Sequence, residues 1–231
     1  MFNENIKLTG HVSIKKYNAD GILIDEKEVQ NLVVSSGKEF IASRLISDDL
    51  PPMQYMAVGD DSTATSLGQT SLQNELGRVA TTGTVSTVQS RFDAVFGPGV
   101  ATGSIVEAGI FNTTSTAIKS FNGSTNVNST TDQINITNHG FSGGDLVTYT
   151  NGGATSITGL SSSGVYAVIV IDADNIQLAE IATPGTPIDI TATSGTTHQL
   201  SYGSMLCRTI FPVISKSSSE TISISWVVTV G

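Results

Sequence analysis

The sequence predicts a mostly β protein: a β-sandwich-like base domain with one short helix, interrupted by a small inserted β-barrel or β-sandwich domain. Three observations predict it. Gly, Thr, Ser, Val and Ile abound, helix formers are scarce and only 13% of the 231 residues are charged, the profile of short strands joined by turns. The C-terminal run Thr221-Ile222-Ser223-Ile224-Ser225-Trp226 alternates small polar with large apolar residues, which is the period of a strand with one buried face. The strand chemistry of SIVEAGIFN (104–112) stops in a Thr/Ser tract and resumes only at SMLCRTIFPVIS (204–215). The interval is long enough for a small domain of its own. The expected division is therefore a discontinuous base, residues 1–115 plus 203–231, and an inserted β domain, residues 116–202.

The elements follow in order. In the first 30 residues Val12 and Ile14 alternate with Ser13 and Lys15, Asn18-Ala19-Asp20-Gly21 supplies a turn, and Ile22-Leu23-Ile24 starts a return strand toward Val29, which together make a hairpin. A helix is expected over 37–47. Ser36 and Glu39 have capping-box spacing, Phe40, Ile41 and Leu45 form an apolar face, and Asp48-Asp49-Leu50-Pro51-Pro52 stops it. Its expected role is to plug one side of a sheet. A short strand at Tyr55-Met56-Ala57-Val58 leads into a polar loop from Gly59, then a helical turn over 71–76 closed by Gly77. Strands at 78–89 and 91–96 come next, the second with Phe92, Ala94 and Phe96 on one face. At the C-terminus Ile222, Ile224, Trp226, Val228 and Val230 share a continuous apolar face. Within the insertion, strands are expected at 133–137, 145–150, 165–171, 175–179, 188–191 and 198–202, separated by turns such as Asn138-His139-Gly140 and Asn151-Gly152-Gly153.

Charge narrows the partners. A formal net charge of -9 with 11 scattered Lys and Arg opposes the clustered cations that a nucleic acid backbone or an anionic membrane requires. The expectation is no nucleic acid and no membrane. No window approaches the roughly 18 apolar residues of a membrane helix, and the opening MFNENIKLTGHV lacks a basic start followed by an apolar stretch. The single cysteine, Cys207, lies in the strand-like run Met205-Leu206-Cys207-Arg208 and reads as a buried structural thiol.

Several motifs invite a chemical reading. Gly140-Phe141-Ser142-Gly143-Gly144 matches the G-x-S-x-G of a nucleophile elbow, and His139 and Asp145 complete a nominal triad. The elbow works because a helix follows the serine, whereas Asp145-Leu146-Val147-Thr148-Tyr149 reads as a strand, so a glycine-rich turn is expected. Asp60-Asp61 and Asp172-Ala173-Asp174-Asn175 cluster oxygen ligands as calcium loops do, but Asp and Asn are also turn residues and the rest of a calcium loop is missing. Glu75, Glu107 and Glu180 are the carboxylates a glycosidase pair would draw on, and they fall in different expected elements. For a sugar-binding patch only Tyr149, Tyr166 and Asn151 offer aromatic and amide groups. The Asn-x-Ser/Thr triplets at Asn112, Asn122, Asn128 and Asn135 follow from composition. The expectation is no enzyme, with no catalytic residues, no cofactor and no metal.

NLVVSSGKEFIASRL, MAVGDDSTATSLGQTSLQNELGRV, EAGIFN and MLCRTIFPVISKSSSETISISWVVTV together resemble a family of small tailed-bacteriophage virion proteins. The likeness covers 10–112 and 204–230. The stretches INITNHGFSGGDLVTYTNGG and VYAVIVIDADNIQLAE are similar to a β-module inserted in phage fibre and surface proteins. The resemblance implies a virion structural protein, assembled in a bacterial host cytoplasm, whose partners are other virion proteins. It also implies a homo-oligomer, with a trimer expected for a fibre or spike. In a tail- or fibre-associated role the base docks to virion subunits and the insertion touches host surface glycan or another subunit. A capsid decoration or head fibre, and a carbohydrate-binding adhesin module, are the alternatives.

Overall fold

The computed structural model describes residues 7–45, 51–114 and 117–231. Within them the protein is mostly β, with three antiparallel sheets and one short helix. The chain divides into two compact units. The first comprises Met1–Val34, Pro52–Thr114 and Met205–Gly231, and the second Ser35–Pro51 and Ser115–Ser204.

In chain order the first unit contains β1 (Leu8–Tyr17), β2 (Leu23–Gln30), β3 (Leu32–Val33), β4 (Tyr55–Gly59), β5 (Glu75–Ala80), β6 (Thr82–Ser86), β7 (Gln89–Phe96) and β8 (Gly103–Phe111). The second unit holds α1 (Ser35–Ser43), β9 (Ile118–Phe121), β10 (Val127–Asn128), β11 (Gln133–Asn135), β12 (Leu146–Thr150), β13 (Val165–Val170), β14 (Asn175–Ala179) and β15 (His198–Tyr202). The chain then returns to the first unit with β16 (Met205–Lys216) and β17 (Thr221–Val230).

Two five-stranded sheets give the first unit a β-sandwich-like architecture, in the orders β2-β1-β17-β7-β6 and β3-β16-β8-β4-β5. The expected alternation sets the core of the first sheet. Val12, Trp226 and Phe92 lie side by side across β1, β17 and β7, with Ile14, Ile224 and Ala94 in the next row, and all six are buried. The Trp226 indole donates to Asn31 Oδ1 at 3.2 Å, so the ring is buried without stranding its N–H. Val230, expected on the same face, is 39% exposed at the strand's end.

In the second sheet β8 is buried on both faces from Ile105 to Phe111. Leu72 from the 60–74 loop and Val34 pack with Ala57, Phe111 and Met205 over one of those faces. Pro212 sits where the pairing of β16 with β8 breaks register between Ile210 and Ile214, the place a residue without an N–H is tolerated in a strand.

Two expectations are corrected in this unit. Residues 71–74 bend and β5 begins at Glu75, so the helical turn over 71–76 does not form. Its backbone groups are claimed from outside, because the Gln73 and Asn74 N–H groups donate to Glu107 and Asn74 C=O accepts from Asp60 N–H. The single strand expected over 78–89 is two. At Thr81, whose N–H bonds Gln54 C=O at 2.7 Å, the chain leaves the second sheet, and β6 joins the first.

The second unit is one seven-stranded sheet, ordered β10-β11-β14-β13-β12-β15-β9. Phe121 from one margin and Val127 from the other enter the same core as Ile134, Tyr149, Ile176 and Leu200, so the sheet curls around its own interior. The strand expected at 188–191 is a loop tied by a bridge from Thr191 to Thr158. Ile190 is buried there and its N–H donates to Asp132 Oδ1 at 3.0 Å. The short strands β9 and β10 lie outside the expected six.

The helix starts at Ser35 and ends at Ser43, earlier than the 37–47 expected, and residues 46–47 of that span lie outside the described residues. Phe40 is buried, but Leu45, past the helix end, is exposed. α1 lies against β13 and groups with the second unit, whereas the sequence reading kept it in the base.

Candidate functional site

Most of the polar residues singled out in the sequence have a structural task. Around the G-x-S-x-G, the Ser142 N–H donates to the Asp145 carboxylate at 2.7 Å and Asp145 N–H returns to Ser142 C=O at 3.0 Å. This closed turn leads into the strand β12 with no helix between. His139 is buried, its Nδ1 accepts from Phe141 N–H at 2.9 Å, and its Nε2 lies 2.8 Å from Asp172 C=O. Those partners select the neutral tautomer with the proton on Nε2. Both ring nitrogens are occupied by backbone, so the nominal triad is not assembled.

The acidic loops are likewise turn caps. Asp172 Oδ1 accepts from the N–H groups of Asp174 and Asn175, and the Asn175 amide, followed by these backbone donors, holds the carboxyl below its usual range. Asp61 accepts from Thr63 N–H, and Asp60 from the Asn74 amide. Among the described residues no group of three or more His, Cys, Asp or Glu side chains could hold a metal ion. Asn122 and Asn128 cap turns by the same Asx geometry, accepting from Ser124 and Thr130 N–H.

The proposed sugar-binding residues do not form a surface. Tyr149 is fully buried, with its hydroxyl accepting from Ile157 N–H at 3.0 Å and lying 2.8 Å from His198 Nδ1. Burial pushes its phenol pKa up. Tyr166 is also buried, its hydroxyl accepting from Ser161 N–H. Asn151 ties its own loop together through Gly153 N–H and Ser156 Oγ. Neither ring offers a free face for stacking on a sugar.

Glu180 lies in the second unit, whereas Glu75 and Glu107 flank Gly59 from the two strands beside β4, each committed to its own arginine. Glu75 pairs with Arg78 at 2.7 Å, and that guanidinium lies 3.8 Å from the centre of the Phe111 ring. Glu180 lines a cleft of about 260 Å³ in the second unit together with Glu39, Tyr166 and Ser161, where burial raises the Glu39 carboxyl pKa. Glu107 is fully buried and ion-paired with Arg208, also fully buried, at 2.7 Å.

That last pair is the strongest polar constellation in the first unit. From β16 Arg208 Nε donates to Glu107 Oε2 at 2.8 Å, and its Nη1 reaches Thr63 C=O and Gln69 Oε1. From β8 Glu107 Oε1 accepts from Asn74 N–H at 3.0 Å and Gln73 N–H at 3.1 Å. Gly59, opposite Glu107 in β4, leaves the carboxylate room, because a Cβ there would collide with it. One buried charge pair thus fastens the 60–74 loop over the sheet. The sequence offers Glu107 as a candidate glycosidase carboxylate and Arg208 as a strand residue, with nothing that joins the two. The available signal was one charge of each sign in the middle of an apolar strand, a place charges occupy only when paired.

Cys207 is buried beside this pair in β16 and free of any disulfide, and burial pushes its thiol well above the ordinary value. Such a thiol is unreactive. No helix among the described residues is long and apolar enough to cross a membrane. Compared with protein-family models, with curated proteins and with solved structures, the chain matches none.

Proposed function

We propose that this protein is a non-enzymatic bacteriophage virion component, tail- or fibre-associated, whose first unit docks to other virion subunits and whose second unit is offered to the surroundings. The observation that carries this reading is how the chain is cut and closed. In the first unit Phe111 pairs with Met205, so the two severed ends emerge from neighbouring strands. In the second unit Ile118 pairs with Ser201 and Ala117 C=O accepts from Tyr202 N–H, so its own ends are also side by side. For residues 117–202 this is the geometry of an inserted module whose ends join neighbouring strands of a scaffold, and Ser35–Pro51 is a second stretch grouped with it.

The polar chemistry supports the same reading. Buried charges fasten a loop, acidic residues cap turns and the buried tyrosines satisfy backbone groups, all of them tasks of a rigid scaffold. Antibody raised against residues 117–202 and immunogold microscopy of the phage particles that carry the protein test the proposal. Label along tails or fibres is the expected result, and label over heads moves the protein to the capsid surface. Purified particles lacking the chain by mass spectrometry, while infected cells contain it, would overturn the virion assignment.

A further inference from the structure

The two margins of the first sheet differ in chemistry. β2 carries Asp25-Glu26-Lys27-Glu28, the charged run that keeps a strand margin from pairing with another chain. β6, Thr82-Gly83-Thr84-Val85-Ser86, has no charge and no proline, and all five residues are exposed.

The hairpin determines which backbone groups of β6 point outward. Ser86 and Gln89 flank the two-residue loop Thr87-Val88, and such a closing pair exchanges both of its backbone bonds. By the antiparallel alternation Thr84 and Thr82 then bond inward to Arg91 and Asp93, their register partners. The bond from Val230 N–H to Val88 C=O, 2.9 Å, keeps the same phase on the far side of β7. The N–H and C=O groups of Gly83 and Val85 therefore point away from the sheet.

We propose that β6 pairs antiparallel with β6 of a second copy of this chain, about a two-fold axis through Thr84. In that register Gly83 faces the partner's Val85 and Val85 faces the partner's Gly83, and these are the residues whose backbone groups are free, giving four hydrogen bonds. Thr82 faces the partner's Ser86 and Thr84 faces itself, which aligns hydroxyls on one face of the joined sheet. On the other face each Val85 side chain settles over a glycine. The space there is open, since the nearest atom to a Cβ placed on Gly83 is the Arg91 carbonyl oxygen at 3.9 Å. No like charges meet, although the chain carries a net -9. A ten-stranded sheet results, and its symmetry is two-fold where the family resemblance implies three-fold. Five residues a side make a small contact, so the free dimer is weak, in the range of about 10 to 100 µM.

Sedimentation equilibrium of the full chain, combined with site-directed crosslinking, tests this. Wild type is expected to dimerise with concentration. Val85→Pro removes only an outward-pointing N–H and should weaken the dimer about 30-fold, because two of the four bonds go. Thr84→Cys places two thiols in a non-hydrogen-bonded pair about 4.5 Å apart between Cα atoms, within disulfide reach, and should oxidise to a covalent dimer. Thr82→Cys, displaced from its own copy along the strand, should not. A wild-type chain that stays monomeric at about 1 mM, equal crosslinking at Thr82 and Thr84, or an oligomer unaffected by Val85→Pro overturns the proposal. If Val85→Pro fails to fold, the contrast between the two cysteine variants decides alone, since Thr82 and Thr84 are both exposed and Cys207 is sealed in the core.

Discussion

Arg208 and Glu107 show how one pair of residues can hold a segment that lacks regular structure. Taking two charges out of water is costly, and here Arg208 Nη1 and Glu107 Oε1 carry the pair's further bonds to the 60–74 loop. Arg208→Met leaves the carboxylate buried and uncompensated and should cost about 3–5 kcal/mol, read as a fall of roughly 10 °C in Tm for a chain of this size. Glu107→Leu added to Arg208→Met should recover part of that loss, less what the Gln73 and Asn74 N–H groups lose with their acceptor, and a double variant no more stable than the single one would contradict the account. A second residue-scale prediction concerns acid. Glu220 accepts from Ser217 N–H at 2.7 Å and pairs with Lys16 at 2.9 Å, and these contacts, the backbone bond first, hold its pKa down to about 2. Its folded value lies below its unfolded one, so its contribution is present above about pH 4.5 and is lost as pH falls toward 2. Glu220→Gln should flatten that part of the stability-against-pH curve, and NMR of the wild-type carboxyl should show a midpoint near 2.

The strands whose pattern was legible are those with one buried face. β7 and β17 follow their alternation closely because water is on one side and the core on the other. Trp226→Ala should cost about 3–5 kcal/mol in chemical denaturation, from lost transfer energy, the cavity and the stranded Asn31 carbonyl. A near wild-type midpoint would refute the burial argument. Where backbone groups are satisfied by distant residues the pattern misled. The 71–76 turn gave way to Glu107, and the 188–191 strand to a loop whose Ile190 N–H goes to Asp132. The capping-box spacing of Ser36 and Glu39 located a helix but not its ends, since α1 begins at Ser35 and stops before Leu45. Catalytic-looking motifs failed at the same scale, because a strand in place of a helix after Ser142 removes the geometry that makes such a serine reactive.

At the scale of the whole molecule the first unit draws its strands from three separated stretches of chain. Replacing residues 117–202 by a short Gly/Ser link should leave that unit folded, with a cooperative melt, because Phe111 and Met205 already bring the ends together. α1 loses β13 in such a deletion, so trypsin should cut after Lys38 and Arg44 much faster than in the full chain. A non-cooperative melt would mean that the two units stabilise each other. By itself the sequence determined the mostly β class, the interruption near residue 112 and the buried faces of β7 and β17, since alternation and turn residues act over a few positions. Only the tertiary structure decided that Glu107 meets Arg208, that α1 groups with β13, that the chain changes sheets at Thr81 and that β6 is left as a bare margin. Each of these depends on partners tens to more than a hundred residues away, whose approach no local spacing encodes.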